Sequence, residues 1–212
     1  MARPLVLAST SRYRRAQLEA LGIEHRAVAP GFEEDHGLPL APDELVVRFA
    51  RGKAEAAAGA HPGALVIGSD QAPELDGRVL TKPGSAAAAV EQLLALAGRT
   101  HRLLTAVALH DAARATTEHR LVIHRMRMRP LSRALAEAYV ARDEPLDCAG
   151  AYRIEGAGLL LFEEAAGPDH SAIIGLPLLA LGELLAGAGV DLLALALGPC
   201  PSPATPNRAG DA

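Results

Sequence analysis

Short apolar runs alternate along the chain with longer segments whose apolar residues recur at helical spacing. Residues 4–8 form a run typical of a buried strand, and residues 12–22 have a helical pattern that ends at Gly22, a frequent helix stop. Between them, the Ser9–Ser11 turn offers side-chain oxygens that cap a helix N-terminus. These residues therefore predict a strand, a polar turn and a helix.

The same two patterns continue through the rest of the chain. We predict further strands over residues 64–70, 79–83, 101–111, 116–128 and 158–167. We predict further helices over residues 43–60, 85–97, 131–141 and 177–189. Residues 29–42 are rich in proline, glycine and acidic side chains and are predicted to form a loop. The sequence contains no internal repeat.

Composition indicates one folded domain followed by a tail. The chain has 212 residues, of which 50% are hydrophobic and 22% charged, which is enough apolar material for one sizeable core. We therefore expect a single domain over residues 1–195. Residues 196–212 are rich in proline and small polar side chains, so we expect a flexible C-terminal tail there.

Net charge and cysteine content bear on partners and location. The formal net charge is -4 and the isoelectric point is about 6.1, so the chain lacks the basic surface that a nucleic acid polymer or an anionic membrane requires. Cys148 and Cys200 are too few for a disulfide framework. Because the sequence has no signal peptide and no apolar run of about 20 residues, we expect a cytoplasmic protein.

Charged residues near the ends of predicted elements are the candidates for chemistry. Three are basic and three are acidic: Arg14, Lys53, Lys82, Glu34, Asp70 and Glu155. Any one of them alone is most often a solvated surface group. The argument rests on their joint placement next to three segments: the Ser9–Ser11 turn, VIGSD at 66–70 and TKP at 81–83. At the Ser9–Ser11 turn, the N–H groups of a helix N-terminus can bind phosphate.

This mixture suits the hydrolysis of a nucleoside triphosphate between its α- and β-phosphates. Charge builds on the non-bridging oxygens and on the leaving pyrophosphate, and lysine and arginine side chains neutralise it. Carboxylates hold Mg²⁺ or Mn²⁺, which prefer oxygen ligands, and they orient or deprotonate the attacking water. Glu34 and Asp70 are the predicted metal ligands.

Several other catalytic classes lack their motifs. A serine in a GxSxG turn is absent, and so are the GxGxxG and GxxxxGK[ST] phosphate-binding loops. Zinc is disfavoured because the two cysteines lack paired ligand spacing and the histidines are scattered. Cys148, which precedes Ala-Gly, is expected to be a small buried filler rather than a nucleophile.

A known family shares the motifs of this chain in the same order and spacing. The motifs are LASTSRYRRAQLEALG, VIGSDQ, DGRVLTKP, LAGRTH, CAGAYRIEG and IIGLPL. From Leu5 to Val190 the chain therefore resembles the Maf family of nucleoside triphosphate pyrophosphatases. The resemblance implies an α/β fold like that of inosine triphosphate pyrophosphatase, with an elongated mixed sheet flanked by helices around a central cleft. It also implies a nucleoside triphosphate substrate, a divalent metal cofactor (Mg²⁺ or Mn²⁺), a cytoplasmic location and a homodimer.

The resemblance further implies roles for particular residues. Asp70 matches the family's proposed catalytic base. The positions that handle the phosphates and the metal are Arg14, Glu34, Lys53 and Lys82. Ser9 and Ser11 match the turn on the phosphate side of the site.

Three motifs resemble the branch of the family that hydrolyses 7-methyl-GTP. They are the SDQ motif that ends at Gln71, the CAG motif that begins at Cys148 and the EG motif that begins at Glu155. The branches that act on dTTP and UTP have DT, KAG and QG there. Glu155 could accept hydrogen bonds from N1–H and N2–H₂ of guanine, and Tyr13 could stack on the cationic methylated base. Gln71 is predicted to bind substrate with them.

Two alternatives stay open. One is a pyrophosphatase of the same family that acts on dTTP or UTP. The other is a nucleotide-binding regulator, because Maf-like proteins are also linked to inhibition of septum formation. The combination of Asp70 with Lys53 and Lys82 favours an enzyme, because a protein that only binds nucleotides does not need a carboxylate beside the phosphates.

Overall fold

The computed structural model describes residues 3–198, which form one sheet with helices packed on both of its faces. The strands are β1 (Leu5–Ala8), β2 (Arg26–Val28), β3 (Leu65–Leu75), β4 (Arg78–Val79), β5 (Thr100–Asp111), β6 (Thr116–Met128) and β7 (Phe162–Ala166). The helices are α1 (Arg12–Ala20), α2 (Pro42–Ala58), α3 (Ala86–Leu96), α4 (Arg133–Asp143), α5 (Ser171–Ile174), α6 (Leu178–Gly187) and α7 (Leu192–Leu197). A 3₁₀ turn at Ala149–Ala151 and another at Ala157–Leu161 precede β7.

The sheet is mixed, and its central strands are long. Among residues 3–198 its seven strands run in the order β2-β1-β3-β5-β6-β7, with β4 paired to β3. β1 pairs in parallel with β2 and β3, whereas β3, β5, β6 and β7 are antiparallel neighbours. The ladder between β3 and β5 extends from Leu65 opposite Asp111 to Glu74 opposite Arg102. This arrangement is the elongated mixed sheet that the resemblance implied.

Alternating side chains of the strands supply a core on each face of the sheet. Leu5 and Leu7 of β1 pack with Leu18 of α1 and with α6. Val6 and Ala8 point to the opposite face and pack with α2. The buried side of α2 is rich in alanine, so its backbone can lie close to the sheet.

Gly68 of β3 lies directly beneath α2. A Cβ at Gly68 would overlap the carbonyl oxygen of Ala50 and would crowd the backbone nitrogen of Ala54. Because these are backbone atoms, they cannot turn aside as a flexible side chain does. The glycine therefore lets α2 approach β3 closely enough to place Lys53 beside Asp70.

A third core lies at the other end of the central strands. There α3 and α4 pack against each other and against Leu75 and Tyr152, and Tyr139 of α4 is part of this core. Since Leu75 is the last residue of β3, the strand that carries Asp70 ends in this core. A cleft opens between this core and the part of the sheet that carries α1 and α2, as the resemblance implied.

Several elements differ from the predicted ones. β3 continues beyond Asp70 to Leu75, and β4 ends at Val79, so the prediction of a strand over residues 79–83 was wrong for most of that segment. Residues 158–161 belong to a 3₁₀ turn, and the predicted strand begins only at Phe162. β2, α5 and α7 were not predicted, because with three, four and six residues they are too short to show a period.

The last helix extends into the segment that was predicted to be a tail. α7 includes Ala196 and Leu197, while residues 199–212, among them Cys200, lie outside the described residues. Between residues 3 and 198, none of the helices could span a bilayer.

Candidate active site

A cleft of about 550 Å³ opens between the end of the protein that contains α3 and α4 and the part of the sheet that carries α1 and α2. All of the predicted site residues except Asp70 line it: Ser9, Ser11, Tyr13, Arg14, Glu34, Lys53, Gln71, Lys82 and Glu155. Asp70 lines a smaller cavity of about 200 Å³, whose wall also includes Glu34, Gln71 and Lys82. The structure therefore brings the predicted residues into one region.

One lysine lies between two carboxylates in this region. Lys53 Nζ is 2.6 Å from Asp70 Oδ1 and 2.5 Å from Glu34 Oε1. Lys53 comes from α2, Asp70 from β3 and Glu34 from the loop over residues 29–41, so three separate elements meet here. The exposed fraction of the side chain is 9% for Lys53 and 12% for Asp70, so this pair is largely shielded from water.

The charge of Glu34 depends on this lysine. Partial burial raises the pKa of the Glu34 carboxyl, but the hydrogen bond and charge of Lys53, together with the neighbouring His36 and Lys82 side chains, lower it by more. The net result is a pKa below the ordinary value for glutamate, so Glu34 is an anion at neutral pH. His36 Nε2 lies 3.4 Å from its second oxygen, Oε2.

Arg14 joins three parts of the protein in the cleft wall. Its Nε donates to the carbonyl oxygen of Gly175 at 2.9 Å, and its Nη1 donates to the carbonyl oxygen of Ser69 at 2.8 Å. Burial lowers the pKa of the guanidinium, while the charges of Asp70 and Glu34 raise it. Nε and Nη1 thus connect two backbone segments, and Nη2 takes part in neither of these hydrogen bonds.

The turn from Ser9 to Ser11 lines the cleft at the start of α1. Ser11 is the N-cap of the helix, as predicted, and its Oγ accepts from the N–H of Arg14 at 3.4 Å. Ser9 is buried, and its Oγ accepts from the N–H of Ser11 at 3.1 Å. These bonds hold the turn, and with it the N-terminus of the helix, against the cleft.

The side-chain nitrogen of Gln71 contacts α5 and β5. Its Nε2 donates to the carbonyl oxygen of Ala172 at 2.7 Å and lies 3.0 Å from the hydroxyl oxygen of Thr105. These contacts tie β3 and β5 to α5. The amide oxygen Oε1 is therefore the group through which Gln71 could meet a ligand.

Lys82 lies in the loop between β4 and α3 rather than at a strand end. It is exposed and borders both cavities. It is close enough to Glu34 for its charge to lower the pKa of that carboxyl. Lys82 therefore adds a positive charge to the cleft beside Glu34.

Another part of the cleft has a different character. Leu103, Ile154 and Ile173 give it an apolar lining, and Tyr13 and Glu155 border the same cleft. An apolar wall with an aromatic ring and a carboxylate suits a flat organic group better than it suits a phosphate chain.

Tyr13 and Glu155 are both near the guanidinium of Arg12. Arg12 Nη2 donates to the Tyr13 hydroxyl at 2.7 Å, and the guanidinium carbon lies 4.8 Å from the centroid of the ring. Partial burial raises the pKa of Glu155, while its own backbone N–H and the charges of Arg153 and Arg12 act in the opposite direction. Glu155 lies in the turn that directly precedes the 3₁₀ turn at Ala157–Leu161.

Cys148 and Tyr152 also line the cleft. Cys148 is half-buried rather than the small buried filler that the sequence predicted. Burial, together with the neighbouring carboxylate of Asp147, raises the pKa of the Cys148 thiol to about 12, so the thiol is protonated at neutral pH. Tyr152 is buried, and its hydroxyl lies 3.0 Å from Nε2 of His101. Neither side chain is a nucleophile at neutral pH.

The donor groups for a metal ion are few. Within residues 3–198, no group of three or more histidine, cysteine, aspartate or glutamate side chains is arranged to hold a metal ion. Glu34 and Asp70 each use one oxygen to bind Lys53. The remaining oxygens are Oδ2 of Asp70 and Oε2 of Glu34, which lies 3.4 Å from His36 Nε2. This set fits an ion such as Mg²⁺, which takes one or two protein carboxylates and completes its shell with water and phosphate oxygens.

Some polar residues of the site were not predicted. Asp147 and Arg153 line the cleft, and His36 lies beside Glu34 in the wall of the smaller cavity. All three are in loops, turns or irregular segments. No hydrophobic period directs a side chain to a particular place in such segments, so their positions had no signal in the sequence.

Comparison with known proteins gives strong matches over most of the chain. A family model described as "Maf-like protein" matches residues 4–188. A protein named 7-methyl-GTP pyrophosphatase from Alkalilimnicola ehrlichii is 44% identical over 190 residues, which cover 90% of this chain and 96% of the relative. A protein of the same name from Pseudomonas putida is 43% identical over 187 residues, which cover 88% of this chain and 97% of the relative.

A solved structure described as a HAM1 protein from Coxiella burnetii is a much weaker match. It is 16% identical to this chain with a TM-score of 0.40, and the match covers 60% of this chain and 73% of that protein. The family match, in contrast, includes every predicted site residue from Ser9 to Glu155. The chain therefore belongs to the Maf family.

Proposed function

We propose that this protein is a pyrophosphatase that hydrolyses 7-methyl-GTP to 7-methyl-GMP and pyrophosphate. Relatives that are 44% and 43% identical over most of the chain carry this name. The observation that carries the proposal is the ammonium of Lys53 between the carboxylates of Glu34 and Asp70, in the wall of a cleft that further cations line. Such a mixture of charges serves the hydrolysis of a phosphoanhydride.

The cationic part of the cleft is proposed to bind the triphosphate. Lys53 and Lys82 both supply positive charge near Glu34, and Arg14 adds a third cation in the cleft wall. The Ser9–Ser11 turn presents the N-terminus of α1, whose N–H groups attract phosphate oxygens. The charge that develops on the leaving pyrophosphate is neutralised by these groups.

In the proposed reaction, a water molecule attacks the α-phosphorus. A bond forms between the water oxygen and the α-phosphorus, the bond from that phosphorus to the α–β bridging oxygen breaks, and the electron pair leaves with pyrophosphate. Asp70 accepts the proton that the water gives up. Because Lys53 binds Oδ1 of Asp70, the proton is accepted at the other oxygen, Oδ2. A carboxylate oxygen has two lone pairs, so one lone pair of Oδ2 takes the proton and the other remains for a metal ion.

Mg²⁺ or Mn²⁺ is proposed to bind together with the substrate. Glu34 and Asp70 would hold the ion through the oxygens that Lys53 does not occupy. A bound divalent cation supplies positive charge next to the phosphate oxygens. With two protein carboxylates as its ligands, the ion depends on the nucleotide for much of its coordination.

The apolar part of the cleft is proposed to bind the methylated base. Glu155 accepts from N1–H and N2–H₂ of guanine, a pair of donors that a pyrimidine does not offer. Tyr13 offers an aromatic ring to the positive charge that methylation at N7 creates. Leu103, Ile154 and Ile173 exclude water from the flat base.

The test is a pyrophosphate-release assay with 7-methyl-GTP, GTP, dTTP, UTP and CTP, each with Mg²⁺ and with Mn²⁺. We expect the highest kcat/KM for 7-methyl-GTP, whereas a preference for dTTP or UTP would contradict the proposed substrate. Asp70→Asn should abolish turnover and keep nucleotide binding, because an amide has the same shape but cannot accept the proton. Asp76→Asn, in the exposed turn after β3, is the matched control and should keep wild-type turnover.

A cytoplasmic location and a homodimer are proposed as well. The net charge of -4 supports a protein that binds a small nucleotide rather than a nucleic acid polymer or an anionic membrane surface. Size-exclusion chromatography with light scattering measures the oligomeric state, and a monomeric mass at micromolar concentration would contradict the dimer.

A further inference from the structure

The loop over residues 29–41 carries Glu34 but contains no helix or strand. It connects β2 to α2, and most of its residues are exposed. Exposed loops of this kind sample several conformations unless contacts hold them. The carboxylate of Glu34 therefore needs support from elsewhere if it is to stay 2.5 Å from Lys53 Nζ.

Phe32 provides such support by occupying a notch in α2. Gly52 of α2 has no side chain, and a Cβ there would overlap three atoms of the Phe32 ring. The Phe32 ring also lies 6.0 Å from the ring of Phe49, at an angle of 60°. His36, on the other side of Glu34 in the loop, contacts the same Phe49 ring at 5.0 Å and 83°. The loop is thus held to α2 on both sides of Glu34.

The notch explains why a glycine stands in the interior of α2. Glycine is less favourable than alanine inside a helix, because it loses more backbone freedom on folding. Gly52 lies well inside the helix, which spans Pro42–Ala58 and is otherwise rich in alanine. A reason in packing is therefore required, and the Phe32 ring is the group that takes the space.

We propose that Phe32 and Gly52 are positioning residues for the carboxylate of Glu34, an inference that rests on the proposed function. Phe32 lies two residues before Glu34, so at most about 7 Å separates their Cα atoms. Gly52 directly precedes Lys53, whose ammonium binds Glu34. The ring in the notch therefore holds the loop and the lysine in one relative position.

Gly52→Ala tests the proposal, with Gly59→Ala as the matched control. The methyl group at position 52 displaces the Phe32 ring, so kcat/KM for 7-methyl-GTP should fall roughly 10- to 100-fold, the effect expected from a misplacement of about 1 Å. The helix should remain folded, because alanine favours it more than glycine does. A Cβ at Gly59 meets nothing within 4 Å, so Gly59→Ala should keep the wild-type kcat/KM. Equal effects of the two substitutions would overturn the proposal.

A double-mutant cycle distinguishes an effect of the contact between Phe32 and Gly52 from general damage to the helix. Phe32→Ala should lower kcat/KM to a similar extent as Gly52→Ala. Adding Gly52→Ala to Phe32→Ala should cost nothing more, because the ring that the new methyl group would displace is already gone. If the two effects multiply independently, the residues act separately and the proposal fails.

Native-state proteolysis provides a readout that does not depend on hydrolysis of a nucleotide. Glu-C protease cleaves after glutamate, and the loop contains Glu33 and Glu34. Cleavage in the loop should be faster in Gly52→Ala than in wild type and unchanged in Gly59→Ala, because release of the ring lets the loop open. A wild-type protein that hydrolyses no nucleotide would contradict the proposed function, whereas equal cleavage of wild type and Gly52→Ala would contradict the anchoring of the loop.

Discussion

Lys53→Met should destabilise the protein as well as inactivate it. The substitution removes an ammonium that lies 2.6 Å from Asp70 and 2.5 Å from Glu34. Removal of one partner from a buried ion pair typically costs about 3–5 kcal/mol, because the remaining charge is left without compensation. The Asp70 side chain is only 12% exposed and is largely shielded from water, whereas Glu34 is 36% exposed and can turn outwards. Asp70 thus accounts for most of the destabilisation. We therefore expect the free energy of unfolding to fall by about 3 kcal/mol, the lower limit of that range.

Urea unfolding followed by far-UV circular dichroism measures this loss, since the chain has no tryptophan for fluorescence. The double variant Lys53→Met/Asp70→Asn should recover most of the stability, because it removes the uncompensated charge as well. Arg51→Met is the matched control on the same helix. It breaks an exposed pair with Glu55 at 3.4 Å and should change the free energy of unfolding by less than about 0.5 kcal/mol.

Two results would refute this reasoning. If Lys53→Met is as stable as wild type, the ammonium is not a buried counterion of Asp70. If the double variant is no more stable than the single one, the loss comes from the packing of α2 and not from charge. Turnover alone does not separate these cases, because both variants lack a group of the proposed active site.

Two further predictions concern a structural ion pair and the recognition of the base. The hydrogen bond from Arg3 lowers the pKa of Asp111 to about 2, although burial acts in the opposite direction. The ion pair therefore stabilises the protein fully above about pH 4, and this stabilisation is lost as the pH falls through about 2. Asp111→Asn should therefore cost about 2 kcal/mol at pH 7 and about half of that at pH 3 in urea unfolding, and an equal cost at both pH values would contradict the prediction. Glu155→Gln should lower the ratio of kcat/KM for 7-methyl-GTP over UTP by roughly 10- to 100-fold, because it removes a charge-assisted hydrogen bond worth on the order of 1.5–3 kcal/mol. An unchanged ratio would exclude Glu155 as the residue that reads the base.

The amphipathic elements were predictable because their side chains alternate between core and solvent. In β6, for example, residues from Val122 to Met128 alternate between buried and exposed positions, and α2 has its buried residues on one side. The limits of β3 were harder to predict. The predicted strand stopped at Asp70, but the ladder with β5 continues through Pro73 to Glu74, a pairing that depends on a distant part of the chain.

The candidate site was predictable as a set of residues but not as a set of contacts. The resemblance pointed to Glu34, Lys53 and Asp70 from different segments, and the fold brings all three together. That one ammonium is shared by both carboxylates follows from the path of the loop over residues 29–41, which no periodic pattern describes.

The position of Lys53 depends on two glycines, which have no side chain, as much as on its own charge. On one side of α2, Gly68 leaves room for the helix backbone against β3, which carries Asp70. Elsewhere on α2, Gly52 leaves room for the Phe32 ring of the loop that carries Glu34. A larger residue at either glycine would move one carboxylate relative to the ammonium while leaving all three charged groups in the chain. The geometry of the charged cluster is therefore set by packing around α2, and substitutions that alter no charge can alter its chemistry.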